Sequence, residues 1–398
     1  MKNFFKKFSI YKIKKNKKQN FLVIDIGSKE VRGLILEKEN KKNRIKKFSS
    51  ETFKEFGTFQ TNSFENDVFK KAFSKVLIEL GLKNDSLPTT TLIGLNPEIL
   101  KAKITNFSVK GEDYKKMIEK DEKTLELVLD KAQKETIKNF IKYNDNELLI
   151  NDFQIIRKDI IERKISGYKV SSTKSHNGNL LGFKVLVIFT LKRYLKIIDF
   201  VKTFFNSKNI LLVHKTQGIF SWLKNRKKFS GVFIDIGSNF TQIFLLNNGL
   251  IEHILEIKIG GDIFTKTLSE KLGLTHEEAE NLKIKFSKGN ISPNTGKIIQ
   301  EFLSKPLNLW FDNLKQDLKK CCNDFDLFLP KNFYIFGGGS LLPGIKNILK
   351  NGDWENLPIL YTSKSVKFIS PNDLPIKDES GLLRSPKEVG IVFLALSI

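Results

Sequence analysis

The chain is poor in arginine and cysteine, and it has no long apolar run. Its 398 residues include seven arginines against 61 lysines, two cysteines and four histidines. The cysteines, Cys321 and Cys322, are neighbours in sequence. Adjacent cysteines rarely bridge, and no metal-ligand spacing surrounds this pair. A disulfide framework and a cysteine zinc site are therefore excluded. With no secretory pattern at the start, the low cysteine content points to the cytoplasm. No apolar stretch reaches the length of a membrane-spanning helix. The closing GIVFLALSI is nine residues and reads as the end of a core helix. The formal charge of +24 invites a nucleic-acid reading. Base and phosphate recognition, however, leans on the planar fork of arginine, and its scarcity argues against that partner. Lysine, asparagine, isoleucine and phenylalanine are abundant together, as an A/T-rich coding sequence produces, so most of the lysine is solvated surface.

What the chain does have is a repeat. Residues 21–28 read FLVIDIGS and residues 231–238 read GVFIDIGS, so Ile-Asp-Ile-Gly-Ser recurs at a separation of 210. In each copy an apolar run predicts a buried strand, and a second apolar run follows, at 31–36 and at 243–246. The pattern is strand, tight turn, strand, with Asp25, Gly27 and Ser28 in one turn and Asp235, Gly237 and Ser238 in the other. Glycine lets a backbone approach a phosphate and turn its N–H groups toward it. The serine hydroxyls can donate to phosphate oxygens. Bare phosphate would repel Asp25 and Asp235, but a hydrated Mg²⁺ between them would reconcile the charges, since magnesium prefers oxygen ligands and keeps most of its waters. An ordinary pair of Asp-x-Gly hairpins would carry the same letters. Two copies on similar strand pairs suggest duplicated lobes gripping one nucleotide from both sides.

Taken in order, residues 1–20 hold eight lysines and no acid. Phe4, Phe5, Phe8 and Tyr11 fall on one helical face. This leader suits an anionic membrane surface, and it reads equally as a disordered basic arm. Residues 66–80 predict a helix, with Gly81 and Asn84 at its end. Residues 88–192 read as a separate α+β unit: a strand at 89–95, a helix at 121–143, segments at 148–155 and 160–170, a polar loop at 171–179 containing His176, and a strand at 180–191. No cluster of catalytic residue types falls there, so contact with a partner is its expected role. A helix follows at 193–206, a strand at 210–213 and a helix at 217–224. After the second repeat, a strand at 251–259 leads into Gly260 and Gly261, which open a helix at 263–272 where N–H groups could face phosphate. Thr275 and Glu278 form a capping box around His276. A helix at 298–323 is expected to break or kink near Pro306. A strand at 333–336 runs into Gly337, Gly338, Gly339 and Ser340, a flat surface for a base or a phosphate. Pro343 suits the first turn of the next helix, and residues 386–396 predict a final apolar helix.

Together these residues resemble the actin-like ATPase superfamily, and within it the FtsA family of division proteins, with PilM of type IV pilus systems next. Four stretches carry the resemblance: IDIGSKEVRGLIL, IGGDIFTKTLSEKLGLTHEEAENLKIKFSKG, FGGGSLLPGI and SGYKVSSTKSHNGNLLGFKV. The fold implied is α/β, an actin-like (ribonuclease-H-like) duplicated two-lobe ATPase fold with an inserted α+β subdomain of FtsA type. The implied division is a leader at 1–20, the first lobe at 21–87 and 193–230, the insertion at 88–192, the second lobe at 231–384, and a closing helix at 385–398 that returns to the first lobe. The resemblance implies ATP and Mg²⁺ as ligands. It makes Asp25 and Asp235 the catalytic and metal-binding acids, and Gly27, Ser28, Gly237, Ser238 and Asn239 the phosphate holders, with Gly260 and Gly261 beside them. Glu280 and Lys283 would approach ribose and base, and Gly337, Gly338, Gly339 and Ser340 would wall the adenosine.

The implied function is an ATP-binding scaffold that self-associates into filaments or oligomers. It would sit at the inner face of the cell membrane and recruit the tubulin-like division protein FtsZ or, on the PilM reading, pilus platform proteins. The second motif departs from the superfamily pattern Asp-x-Gly-Gly-Gly-Thr-Thr-Asp: here Ser238, Asn239, Phe240, Thr241 and Gln242 follow Gly237. The bulky Phe240 and the missing second acid imply slow or absent hydrolysis. FtsA proteins end in an amphipathic membrane helix, and this chain stops at Ile398 within the fold, so the leader would take over membrane contact. A small-molecule kinase of the same fold needs a positioned base beside its acceptor, and the sequence offers none beyond the two motif acids.

Overall fold

The structure is a computed structural model that describes residues 18–40, 42–53, 67–82, 87–110, 121–144, 147–170, 179–205, 207–355, 357–358 and 364–398. The leader up to residue 17, most of the 171–179 loop and His176 lie outside the described residues.

The apolar run of the first repeat forms β1 (Gln19–Ile26), whose residues from Phe21 onward are all buried. A strand covered on both faces must be central, and neighbours flank β1 on both sides. β2 (Glu30–Glu39) pairs with it antiparallel, and β3 (Lys42–Thr52) pairs with β2. α1 (Asp67–Glu79) packs Phe69, Ala72, Phe73 and Val76 inward against β2 and β3. β4 (Thr90–Leu95) lies parallel on the other side of β1.

The chain then leaves for the inserted unit. β5 (Lys101–Lys110), α2 (Asp121–Asn144), β6 (Phe153–Ile165), β7 (Tyr168–Lys169) and β8 (Leu180–Leu191) give a four-stranded sheet in the order β5-β8-β6-β7, with α2 against it. α3 (Leu195–Thr203), β9 (Asn209–Leu212) and α4 (Lys215–Leu223) return to the first lobe, with β9 parallel to β4.

The second repeat forms β10 (Gly231–Ile236), β11 (Thr241–Asn247) and β12 (Leu250–Ile257), followed by α5 (Asp262–Leu272), α6 (His276–Ser287) and α7 (Pro293–Phe325). β13 (Asn332–Phe336), α8 (Ile345–Asn351) and β14 (Ser365–Phe368) complete that lobe. β15 (Lys377–Asp378) and α9 (Val389–Ala395) close the chain.

The two large sheets have the same wiring. One runs β15-β3-β2-β1-β4-β9 and the other β12-β11-β10-β13-β14. Apart from the added β15, each has three antiparallel strands and then two parallel ones, with the repeat strand in the middle. This is the α/β duplicated actin-like architecture with an inserted α+β unit.

Several boundaries differ from the expectations. Residues 89–95 were expected in the insertion, but β4 is buried along its whole length and pairs with β1 and β9, so it belongs to the first-lobe sheet. The segments expected at 148–155 and 160–170 are largely one strand, β6, because two bulges, at Ile155/Arg157 and Ile160/Glu162, break the alternation that would have revealed it. The chain also re-enters the first lobe before residue 385, since β15 pairs with β3. Helix α7 runs unbroken past the buried Pro306. Pro343 precedes α8, whose cap is Gly344 at φ 98°. Residues 386–396 begin with a 3-10 turn, Pro386–Glu388, and become α-helical only at Val389.

One crossing matters for the site. α9 is buried at all seven positions and lies on α4 at Gly218, where an added Cβ would overlap the Phe393 carbonyl. Inside a helix an alanine normally stabilises relative to glycine by about 1 kcal/mol. Here the overlap reverses the sign, and Gly218→Ala is expected to lower stability by about 2–3 kcal/mol. A thermal melt reads this directly, and a raised midpoint would show that the crossing tolerates a side chain.

Candidate functional site

The two hairpin turns meet in the cleft between the lobes. Asp25 is 6% exposed and Asp235 5%. Each is the next-to-last residue of its strand, and each faces a cross-strand partner seven residues on: Arg32 for Asp25 and Gln242 for Asp235. That one difference sets the electrostatics. In the first lobe Arg32 answers its partner directly, with Nη1 3.3 Å from Asp25 Oδ2 and Nη2 2.7 Å from Glu30 Oε2. In the second lobe the neutral Gln242 turns instead to Glu256 and His214. The cation for Asp235 comes from elsewhere: Lys215, in the first turn of α4, places Nζ 2.5 Å from Asp235 Oδ2.

Burial disfavours the charged forms of both cations, but the surrounding acids outweigh it. The pKa of Arg32 is raised by Glu30, Asp25 and Asp235, and that of Lys215 by Asp235 and Asp25. Each cation thus feels both acids. Gly390 on α9 lies beside both Lys215 and Asp25, and a Cβ there would sit 3.6 Å from Lys215 Nζ and 3.7 Å from Asp25 Oδ2. The floor of the cleft is therefore a compact set of alternating charges.

The glycines expected to cradle phosphate pack the second lobe together. Gly261 N–H donates to the Gly237 carbonyl and Asp262 N–H to the Ser238 carbonyl, both at 2.8 Å. The N–H groups of Gly261 and Asp262 at this helix start are thus committed to backbone. A Cβ at Gly260 would clash with the Gly237 and Ser238 carbonyls, so the close approach needs glycine. Gly27 N–H bonds Glu30 O and Gly237 N–H bonds Phe240 O, each closing its own turn. Among the described residues the backbone N–H groups of Ser28, Ser238 and Asn239 have no protein acceptor, which leaves them able to meet an anion. Gly337, at φ 84°, abuts the Asp235 carboxylate, and Gly339 abuts Ile236. Ser340 is buried and donates to the Gly337 carbonyl, holding the turn instead of facing the cleft. Gly338 lies near Lys387.

A second set of charges crosses the cleft. Lys29, in the first-lobe turn, reaches Asp262 Oδ1 at 2.8 Å and Glu280 Oε2 at 3.0 Å in the second lobe. Glu280 also accepts from Lys283 at 2.9 Å and Thr265 at 2.6 Å, and Lys283 bonds the Gly261 carbonyl at 3.0 Å. His276 Nε2 is 2.9 Å from Asp262 Oδ1. Lys387, in the C-terminal turn, bonds Glu30 Oε1 at 2.8 Å, while the neighbouring Pro386 carbonyl accepts from Gly337 N–H. Glu280 thus ties the lobes through Lys29, and Lys283 holds Glu280 within the second lobe.

A hydrated Mg²⁺ on Asp25 and Asp235 does not fit this donor set. Each carboxylate already holds a protein cation, and Arg32 and Lys215 would repel a divalent ion between them. Among the described residues no group of three or more His, Cys, Asp or Glu side chains converges to hold a metal.

Comparison with known proteins places this arrangement. The FtsA family (cell division protein FtsA) matches residues 232–388. The PilM–PilN type IV pilus biogenesis complex superposes with a TM-score of 0.66 at 14% identity, covering 94% of this chain and 97% of that one. The chain has the actin-like fold, and residues 232–388 of its second lobe match the FtsA family model. Ethanolamine utilization protein EutJ from Carboxydothermus hydrogenoformans gives 0.48 at 12% identity, covering 96% and 90%. MreB5 of Spiroplasma citri bound to ADP gives 0.42 at 12%, covering 95% of each chain. No curated protein matches the sequence.

Sequence reasoning passed over Arg32, Lys215, Lys29 and Asp262. The first was within reach, because the residues seven places after the two repeat acids differ in charge. Lys215 carried no signal, since only the tertiary fold sets its helix start beside Asp235. The second lobe also connects to the insertion through buried charge. Lys101 of β5 pairs with Glu256 of β12 at 2.9 Å, Lys184 of β8 pairs with Glu252, and Lys103 donates to the Ile254 carbonyl. Glu256 accepts from Gln242, which faces His214, the N-cap of α4. Burial pushes His214 down to about 3, so it stays neutral and can cap.

The cross-lobe clasp has a pH signature. Burial opposes ionisation of Glu280, but Lys283, Lys29 and Thr265 outweigh it and lower its pKa from 4.5 to about 2. A lowered folded-state pKa gives stability that is full above the unfolded value and lost as pH falls through the folded one. Glu280 therefore contributes roughly 2–3 kcal/mol above about pH 5. The gap in melting temperature between the parent and Glu280→Gln is expected to be widest near neutrality and to close toward pH 2. A gap that stays constant with pH would mean that Lys283, Lys29 and Thr265 do not hold the Glu280 carboxylate.

Proposed function

We propose that the protein is a nucleotide-binding, actin-like scaffold that assembles with itself and hydrolyses ATP slowly or not at all. One observation carries this reading. Two hairpins that share Ile-Asp-Ile-Gly-Ser, on two sheets of the same wiring, bring Asp25 and Asp235 within the field of the same two cations. The turns that follow these acids carry the unbonded N–H groups of Ser28, Ser238 and Asn239, which can meet a polyphosphate. Asp25, Gly27, Ser28, Gly237, Ser238 and Asn239 would face the phosphates. Glu280 and Lys283 would meet the ribose and base once Lys29 releases Glu280. Both motif acids are tied to cations, and neither is left as a base for water, which supports weak turnover.

The FtsA match in the second lobe favours a role in division at the membrane face, with the tubulin-like division protein as partner. Residues 1–20, basic and aromatic, would provide the contact with anionic lipid. The likeness to PilM over nearly the whole chain favours the second reading, a platform for pilus assembly. The insertion is the proposed partner-facing unit in both.

Co-precipitation from cells separates the two: recovery of the division protein supports the first and recovery of pilus components the second. For the common core, pelleting assays should show assembly that rises with ATP and equally with a non-hydrolysable analogue. Assembly that needs turnover, or equilibrium dialysis showing no nucleotide bound, would refute the scaffold reading.

A further inference from the structure

The charge pattern on the cleft floor departs from what a magnesium-nucleotide site requires. Asp25 and Asp235 are nearly inaccessible, and each ends on a protein cation. Neither cation is a flexible surface chain that happens to fold in. Arg32 is held on two sides, by Asp25 and by Glu30, and Glu30 is itself held by Lys387. Lys215 issues from the first turn of α4, which is fixed by the His214 cap and by the glycine crossing with α9, and Gly390 closes over it. Magnesium is reluctant to shed its waters and demands near-octahedral oxygen geometry. Entering here it would have to displace both ion pairs, leaving Lys215 without its carboxylate and Arg32 with Glu30 alone, which costs several kcal/mol. A free polyphosphate would be repelled by bare Asp25 and Asp235, but here both acids are already neutralised by Arg32 and Lys215. It brings negative charge to Arg32, whose guanidinium suits phosphate oxygens, to Lys215, and to the N–H groups of Ser28, Ser238 and Asn239.

We propose that Arg32 and Lys215 take the place of the divalent cation, so that the cleft binds a nucleoside polyphosphate as the metal-free anion. This rests on the nucleotide reading above and specifies its ligand. Asp25 and Asp235 then act as positioning residues that aim the two cations, and they do not ligate metal.

The test is equilibrium binding of a fluorescent ATP analogue to the full chain, in excess EDTA and in millimolar Mg²⁺, with Mn²⁺ retention read by electron paramagnetic resonance. The expected result is an affinity in EDTA within about threefold of that in Mg²⁺, with no protein-dependent Mn²⁺ signal. Binding at least tenfold weaker in EDTA, or Mn²⁺ held in the complex, overturns the inference and leaves the nucleotide reading standing. No binding under either condition overturns both. In Lys215→Met, which frees the Asp235 carboxylate, affinity should fall at least tenfold in EDTA and recover with Mg²⁺. Arg32→Gln is the companion variant, with folding of each checked by its melt. Loss of affinity in both folded variants that Mg²⁺ does not restore would show that the two cations do not stand in for the metal, and would overturn the proposal. Unchanged affinity in both would show that these cations do not touch the ligand and would overturn it.

Discussion

Two carboxylates brought together at buried positions repel each other, and burial makes the repulsion worse because it weakens the screening between them. The actin-like duplication forces this situation, since it sets the same acid at the same place in each lobe and then closes the lobes on one another. Arg32 and Lys215 lie between the acids and turn repulsion into an alternating set of attractions. Much of the rest of the architecture serves to keep those two cations in place. The cap on α4, the glycine crossing with α9, and the C-terminal turn that delivers Lys387 to Glu30 all act on this one spot.

The two lobes share their wiring but not their electrostatics. The first is self-sufficient: acid and cation face each other across one hairpin. The second is not, because Gln242 stands where an arginine would repeat the first-lobe pair. Its amide is bound into a polar chain from Lys101 and Glu256 to the cap of α4. The cost of that exchange is met by Lys215. A consequence is that the buried charges joining the insertion to the second lobe run into the helix that carries the cleft lysine. The unit proposed to face partners and the cleft proposed to hold nucleotide are thus parts of one hydrogen-bonded structure.

The clasp made by Lys29, Asp262 and Glu280 adds a second tie between the lobes, farther out. A cleft held at the floor and at the rim, with its acids already neutralised, is better suited to reporting occupancy than to driving chemistry. That is consistent with a scaffold in which nucleotide stabilises one relation of the lobes.

The sequence by itself determined the repeat and its meaning for the fold. An apolar run ending in Asp-x-Gly is legible because a central strand must be apolar along its whole length and a tight turn must carry glycine. It also determined the capping box at Thr275 and the burial of the closing apolar run. It was silent where pairing is non-local or irregular. The strand at 90–95 reads the same whether it joins the first sheet or the insertion, and β6 hides behind its bulges. The site residues divide in the same way. Asp25, Gly27, Ser28 and their counterparts stand in the motif, whereas the partners that set their charge come from a helix start 20 residues upstream and from the far lobe. Only the tertiary structure decided that the two acids would meet cations instead of open space, because which charges face each other across a cleft is settled by how separate lobes pack and not by any local spacing.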